Sequence, residues 1–112
     1  MKSVNVLSAP VMENPHNISA SRIFDSKDAQ VVHLTLRPGE ALKRHITPVD
    51  VIFYILEGSG VVEIGEEKKE FGPDTLIESP AGIPHCWYNE SDMVLRILVI
   101  KVPRPVSATK LL

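Results

Sequence analysis

Turn-forming residues interrupt this chain of 112 residues at short intervals and leave little room for helices. Glycine and proline punctuate the whole length of the chain, for example at Pro38, Gly58, Gly72 and Pro80. Between them, apolar segments rich in β-branched residues recur roughly every 8–12 residues, which is typical of a β-sandwich or β-barrel. Helical spacing is confined to weak patches. The sequence therefore predicts an all-β protein of about eight to ten strands.

The clearest predicted strand covers residues 29–37, where side chains alternate in character. Val32, Leu34 and Leu36 share one face, and His33 lies on the other. Residues 50–56 are apolar on both faces, as expected for a strand enclosed in a sandwich. The remaining predicted strands cover residues 19–24, 61–64, 68–71, 75–79, 85–88 and 93–102. We expect these strands to form an antiparallel two-sheet sandwich of the jelly-roll type.

Size and composition indicate one globular domain. The chain has 44% hydrophobic and 23% charged residues, which is ordinary for a globular protein, and its length suffices for a core of its own. We expect a single domain over residues 1–112, with its core at residues 29–102. Residues 1–28 form an N-terminal arm with short strands, and residues 103–112 form an extended tail. The two arms and the long apolar last strand favour a homodimer, since edge strands of a small sandwich need covering.

Charge and cysteine content exclude several classes of protein. A net charge of −2 gives no basis for binding nucleic acid or an anionic membrane. The single cysteine, Cys86, cannot form an internal disulfide and suits a reducing compartment. The first residues lack the apolar run of a signal peptide, and no stretch is long enough to span a bilayer. We expect a cytoplasmic protein.

Two segments each place a histidine just beyond a glycine-containing turn. In the first, Gly39 precedes His45, and Gly58 closes the segment after an apolar strand. The second, Pro-x-Gly-x-x-His-x-x-x-Asn, is formed by Pro80, Gly82, His85 and Asn89. In order and spacing, the two segments resemble the paired motifs of the cupin superfamily, and the resemblance covers residues 30–100. It implies a double-stranded β-helix, the jelly-roll barrel of the cupins, with a site for a small-molecule ligand in its lumen.

The first motif departs from the family at two metal-ligand positions. Thr47 stands where the second histidine belongs, and Val51 stands where the glutamate belongs. A complete site of three histidines and one carboxylate holds a divalent first-row metal. Asp50 is one residue away from the glutamate position, and a shift of one residue turns a side chain to the opposite face of a strand. The pleat therefore argues against Asp50 as a substitute.

The resemblance implies a set of candidate site residues. His45 and His85 are the candidate ligands for one divalent transition metal (Mn, Fe, Ni or Zn), with His33 or Asp50 as a candidate further ligand. If the polar face of the 29–37 strand lines the lumen, His33 completes a variant three-histidine site, and otherwise it is a surface residue. The candidates for lining a ligand cavity are His33, Thr47, Tyr54 and Trp87.

Three functions remain open at the level of the sequence. The first is a barrel that binds a small molecule and has an incomplete or variant metal site. The second is a metal-dependent oxygenase or isomerase that uses His45, His85 and His33. The third is a metal-free sugar isomerase or epimerase with a lumen histidine as general base, which requires a histidine–carboxylate pair in the cavity that involves Asp50 or Glu78. Whether the protein is an enzyme stays undecided, because one fold can carry many functions.

Overall fold

The structure is a computed structural model that describes residues 1–112. It contains ten strands and one three-residue 3-10 turn, Val6–Ser8. The strands are Ser19–Asp25 (β1), Gln30–Leu36 (β2), Ala41–Ile46 (β3), Asp50–Glu57 (β4), Gly60–Ile64 (β5), Glu67–Phe71 (β6), Leu76–Ser79 (β7), His85–Tyr88 (β8), Leu95–Val102 (β9) and Lys110–Leu111 (β10). None of the helical structure is long and apolar enough to cross a membrane.

The strands form two antiparallel five-stranded sheets. The first sheet has the order β1-β2-β9-β4-β7, and the second has the order β10-β3-β8-β5-β6. The chain crosses from one sheet to the other at every connection except those from β1 to β2 and from β5 to β6, so it winds around the space between them. This confirms the predicted all-β, double-stranded β-helix architecture.

The inward-facing side chains are apolar at one end of this space and polar at the other. Along β2 and β9, the inward cross-strand pairs change from Leu36 with Leu95 at one end to Gln30 with Lys101 at the other. The apolar end is closed by a tightly packed core, in which the rings of Phe53 and Trp87 are 5.5 Å apart and fully buried. The polar end is left for a cavity.

Alternation does not predict β3 or β10. Within β3, Lys43 and Arg44 are consecutive and both exposed, which breaks the two-residue period and resembles a turn. The tail that the sequence predicts as merely extended forms β10, where Lys110 and Leu111 pair with Ile46 and His45. The C-terminus therefore extends the second sheet next to a candidate site residue.

The N-terminal arm is also more structured than its sequence indicates. Besides the predicted strand at residues 19–24, which forms β1 and pairs with β2, it contains a segment that packs beside the barrel. Asn14 holds this segment through hydrogen bonds from its side-chain amide to the carbonyls of Met12 and Ile18. As a result, the arm forms one side of the cavity.

Candidate functional site

A cavity of about 300 Å³ lies between the two sheets. One part of its lining is apolar and comes from the arm and both sheets, chiefly Met12, Ile18, Val32, Leu34, Leu42 and Val99. The other part is polar and includes His16, Arg22, Gln30, His45, Thr47, His85 and Lys101. The cavity is therefore amphipathic.

A β-bulge in β3 turns His45 into this cavity. In the pairing of β3 with β8, Leu42 is opposite Trp87 and His45 is opposite His85. Three residues of β3 thus span the length that two residues span in β8. The extra residue cancels the change of face that alternation would impose. Leu42 and His45 consequently both point inward and are buried.

The backbone of the bulge orients two imidazoles. The Lys43 N–H donates to Nδ1 of His16 at 2.8 Å. The Lys43 carbonyl accepts a hydrogen bond from Nδ1 of His45 at 2.6 Å. Because the carbonyl can only accept, His45 carries its proton on Nδ1 and presents the Nε2 lone pair to His85.

His45 and His85 form a hydrogen-bonded pair, as the cross-strand register requires. Their Nε2 atoms are 3.0 Å apart and their ring centroids are 4.4 Å apart. His85 Nδ1 is 2.6 Å from the Ser79 hydroxyl, and its Nε2 is 3.2 Å from Oγ1 of Thr47. One assignment satisfies every group: Ser79 donates to Nδ1 of His85, and His85 Nε2–H donates to Nε2 of His45.

Burial keeps the imidazoles neutral. Burial first, and then the charges of His45 and Lys101, lower the pKa of His85 to about 3. Burial also lowers the pKa of His45, and this outweighs the opposite effect of the Lys43 carbonyl. The pKa of His16 is lowered to about 4, mainly by burial and then by the charge on His45. The hydrogen bonding agrees, because protonation of His45 would set two N–H groups against each other.

The first sheet supplies a row of side chains at the level of this pair. Lys101 lies opposite Gln30 on one side and Val51 on the other. Val51 in turn lies opposite Ser79, the residue bonded to His85. The register therefore places Lys101 across the cavity from the histidines.

Both charged side chains of the cavity lining are cations, and no aspartate or glutamate lies among the lining residues. Lys101 forms none of the ion pairs of the structure. Its pKa is lowered, mainly by burial and then by the charge of Arg22. Arg22 lies at the rim, 3.7 Å from Asp25, whose carboxylate is held more closely by Arg104 at 2.6 Å.

The structure brings together three of the predicted site residues, His45, His85 and Thr47. His33 lies apart from them. Its neighbours Val32 and Leu34 line the cavity, so alternation turns His33 to the outer face of the sheet. There it accepts a hydrogen bond from Nε of Arg96 at 3.1 Å. The variant three-histidine site does not form.

Three other candidates do not line the cavity. Asp50 is exposed and accepts a hydrogen bond from the Ala81 N–H at 2.8 Å, as the pleat argument requires. Tyr54 alternates with the buried Phe53, so its hydroxyl is outside, where it donates to Asp74. Trp87 is buried in the core and does not line the cavity.

The histidine–carboxylate pair needed by a metal-free isomerase is not formed. Asp50 is bonded to the backbone of Ala81, and Glu78 is an exposed residue of β7. The partners of His85 are instead the hydroxyl groups of Ser79 and Thr47 and the ring of His45.

Sequence reasoning missed the polar residues that the first sheet and the arm contribute. Lys101 carried a usable signal, because it follows Leu95, Ile97 and Val99 at a two-residue period and so shares their inward face. Gln30 has the same relation to Val32 and Leu34. His16 had no such signal, since it lies outside any strand.

Comparison with known proteins identifies the family. The model of the cupin domain matches residues 32–101. The crystal structure of the protein TT1209 from Thermus thermophilus is 33% identical, with 94% of this chain and 100% of that chain covered and a TM-score of 0.80. No protein of curated function matches. The chain belongs to the cupin family.

Two more distant structures share the fold. The polyketide cyclase RemF from Streptomyces resistomycificus is 19% identical, with 100% of this chain and 85% of that chain covered and a TM-score of 0.85. A predicted oxalate decarboxylase from Thermotoga maritima is 18% identical, with 78% and 81% covered and a TM-score of 0.72. At these identities the likeness concerns the fold alone.

Cupins often bind a divalent metal, but the donors in this cavity do not fit the family's usual set. His45 and His85 supply two imidazoles, whereas catalytic metal sites generally use three protein ligands. Val51 has no donor atom, and the hydroxyl of Thr47 is a poor ligand that already contacts His85. No group of three histidine, cysteine, aspartate or glutamate side chains is placed to hold a metal ion.

Proposed function

We propose that this protein binds one small organic molecule in its barrel cavity without the metal centre of its family. The observation that supports this is the amphipathic cavity of about 300 Å³, with a neutral His45–His85 pair in its wall. Cavities of at least this size, mostly apolar with a few placed polar groups, are typical of small-molecule sites.

The internal bonding of the pair favours binding over metal chemistry. His45 and His85 direct their Nε2 atoms at each other, and Ser79 and Lys43 hold the two Nδ1 atoms. The imidazoles are thus satisfied without a metal, and they offer a ligand a rigid, uncharged wall. A rigid wall lowers the entropic cost of binding, since little side-chain freedom is lost.

A cavity-filling variant with a matched control tests this proposal. Val32→Phe adds a ring to a side chain that lines the cavity, whereas Val31→Phe adds the same ring to the adjacent residue of β2, which lies outside it. We expect ligand-observed NMR with a fragment library to find binders for the wild type and Val31→Phe that Val32→Phe has lost. Equal binding by both variants would place the site elsewhere.

A metal-dependent enzyme is the second candidate, and one observation favours it. The Nδ1 atom of each histidine contacts an oxygen while the Nε2 atoms converge, which is how metal-binding histidines are commonly oriented. Elemental analysis of untagged protein after incubation with Mn, Fe, Ni and Zn separates the two candidates. We expect little metal in the wild type and in His45→Ala/His85→Ala. Stoichiometric metal that the double variant loses would favour the enzyme.

We also propose that two copies associate through the outer face of the first sheet. In two adjacent rows, cross-strand neighbours build an apolar patch from Val31, Ile100, Ile52, Leu98, Tyr54 and Leu76. Light scattering after size exclusion should give a dimer for the wild type and a monomer for Ile100→Glu. Lys68→Glu, on the second sheet, serves as the control. A monomeric wild type would refute the association.

A further inference from the structure

We propose that the ligand of the cavity is an amphipathic organic anion, a small monocarboxylate. Its carboxylate lies at Lys101 with Arg22 nearby, and its apolar part lies against the wall formed by Leu34, Leu42 and Val99. This inference rests on the proposed function and adds the chemical class of the ligand.

The charge of the cavity supports an anion. Lys101 is half-buried and has neither an ion pair in the structure nor a carboxylate among the neighbouring lining residues. Its cross-strand neighbours are Gln30 and Val51, which are both uncharged. Partly buried charges are usually paired, so an unpaired ammonium beside a cavity is placed to receive an anion from solution.

Arg22 adds a second positive charge at the rim of the cavity. Its nearest acidic partner, Asp25, is 3.7 Å away and is already engaged by two hydrogen bonds from Arg104. The guanidinium is therefore only weakly neutralised. The cavity is cationic although the chain as a whole has a net charge of −2. Clefts lined by one sign of charge concentrate ligands of the opposite sign.

The apolar part of the cavity lining favours a ligand that has an apolar portion as well as a charge. Leu34, Leu42 and Val99 belong to the main hydrophobic core and meet the cavity at its inner end. An inorganic anion would leave this surface against water. A carboxylate with a short hydrocarbon chain satisfies both ends, since burial of its apolar surface against this wall is favourable.

Lys101 is also costly to the fold in the absence of a ligand. Burial without a partner disfavours its charged form. Replacement by methionine, which keeps the length of the side chain and removes the charge, should therefore stabilise the protein while it weakens binding. A merely structural lysine would show the opposite effect on stability, and the two roles can be told apart.

The test uses hexanoate as the probe, with hexanamide and hexylamine as uncharged and cationic analogues of the same chain length. Isothermal titration calorimetry at constant ionic strength is applied to the wild type, Lys101→Met and Lys27→Met. Lys27 is an exposed lysine in the turn after β1 and serves as the matched control. Arg22→Gln is a second variant that leaves the interior unchanged.

We expect hexanoate to bind the wild type and Lys27→Met equally, and hexanamide to bind both more weakly. Lys101→Met should lose about 10- to 100-fold in affinity for hexanoate, the range for a hydrogen bond to a charged group, and its melting temperature should rise. Arg22→Gln should show a smaller loss of affinity, because Arg22 is exposed at the rim.

Two results would overturn the inference. If hexanamide binds as tightly as hexanoate, or if Lys101→Met binds hexanoate normally, the ligand is not an anion held at Lys101, although the proposed binding function stands. If none of the three probes binds, the monocarboxylate class is excluded. In that case the Val31→Phe and Val32→Phe comparison decides separately whether the cavity binds any small molecule.

Discussion

The two walls of the cavity differ in how completely their polar groups are satisfied. On the second sheet, His45 and His85 bond to each other and to the groups that surround them, and both are neutral. On the first sheet, Lys101 is charged and unpaired. The difference shows that the histidines kept from the cupin motifs are not the residues that face the cavity with unused bonding capacity.

The largest expected effect comes from restoring the family's ligands in the first motif. The double variant Thr47→His/Val51→Glu adds an imidazole and a carboxylate at two buried positions. Four protein donors suit a divalent first-row metal, so we expect about one equivalent of bound metal by elemental analysis, where the wild type binds little. A variant that gains no metal would show that these positions do not share one site.

The single variant Val51→Glu should instead neutralise the unpaired charge of Lys101 on the first sheet. Val51 and Lys101 are direct cross-strand neighbours, with Cβ atoms about 5 Å apart in such pairs. The new carboxylate is therefore expected to pair with Lys101 and to weaken hexanoate binding by about 10- to 100-fold in calorimetry. Val51→Gln has the same shape without the charge and should bind hexanoate more tightly than Val51→Glu. Equal affinities of the two variants would contradict the pairing.

The histidine wall should make stability depend on pH. Because the pKa of His85 falls from 6.5 to about 3 on folding, the unfolded chain binds a proton at this site first as the pH is lowered. The stability linked to the neutral form of His85 is therefore fully present above pH 6.5, and it is lost as the pH falls below this value. We expect a loss of about 2 to 3 kcal/mol between pH 6.5 and 4.5 from this residue.

Urea unfolding across this pH range measures the effect. In His85→Asn, which cannot titrate there, the dependence of the unfolding free energy on pH should be smaller than in the wild type. The remaining slope comes from the other groups whose pKa values are lowered, namely His16, His33 and His45, with Asp25 and Glu40 contributing at the acidic end of the range. An unchanged slope in the variant would mean that His85 is already neutral in the unfolded chain or charged in the folded protein.

The smallest expected effect is the loss of one bond within the histidine wall. Ser79→Ala removes the hydroxyl that donates to Nδ1 of the buried His85 and leaves that nitrogen without a partner. We expect the free energy of unfolding to fall by about 1 to 2 kcal/mol in urea titrations. Ser3→Ala, in the exposed N-terminal segment, should leave it unchanged. An unchanged free energy of unfolding in Ser79→Ala would show that the network tolerates an unsatisfied nitrogen.

Much of the fold could be predicted because its strands follow regular alternation. The alternation of Val32, Leu34 and Leu36 placed β2 correctly, and the spacing of the second motif placed His85 at the start of β8. β3 was not predicted because its bulge replaces alternation with two exposed residues. β10 was not predicted because a two-residue strand forms only where a long-range partner already exists.

The candidate site was only partly predictable for a related reason. Motif spacing identifies the histidines, since they are neighbours within one sheet. The facing of His16 toward His45 depends on the packing of the arm, which local patterns do not encode. Lys101 was predictable from alternation alone. A lysine in an apolar inward row is thus a better guide to the cavity lining than the polar face that carries His33.

The bulge in β3 means that the direction of His45 does not follow from its position in the sequence alone. His45 is three residues from Leu42, a spacing that puts two side chains on opposite faces of a regular strand, yet both face the cavity. Removal of one of the two exposed residues between them, Lys43 or Arg44, would leave the pair two residues apart, and both would still point inward in a regular strand. The deletion would instead remove the bulge, whose backbone bonds to His16 and His45. Two cupins can therefore place a histidine at the same point of the cavity with strands that differ in length by one residue.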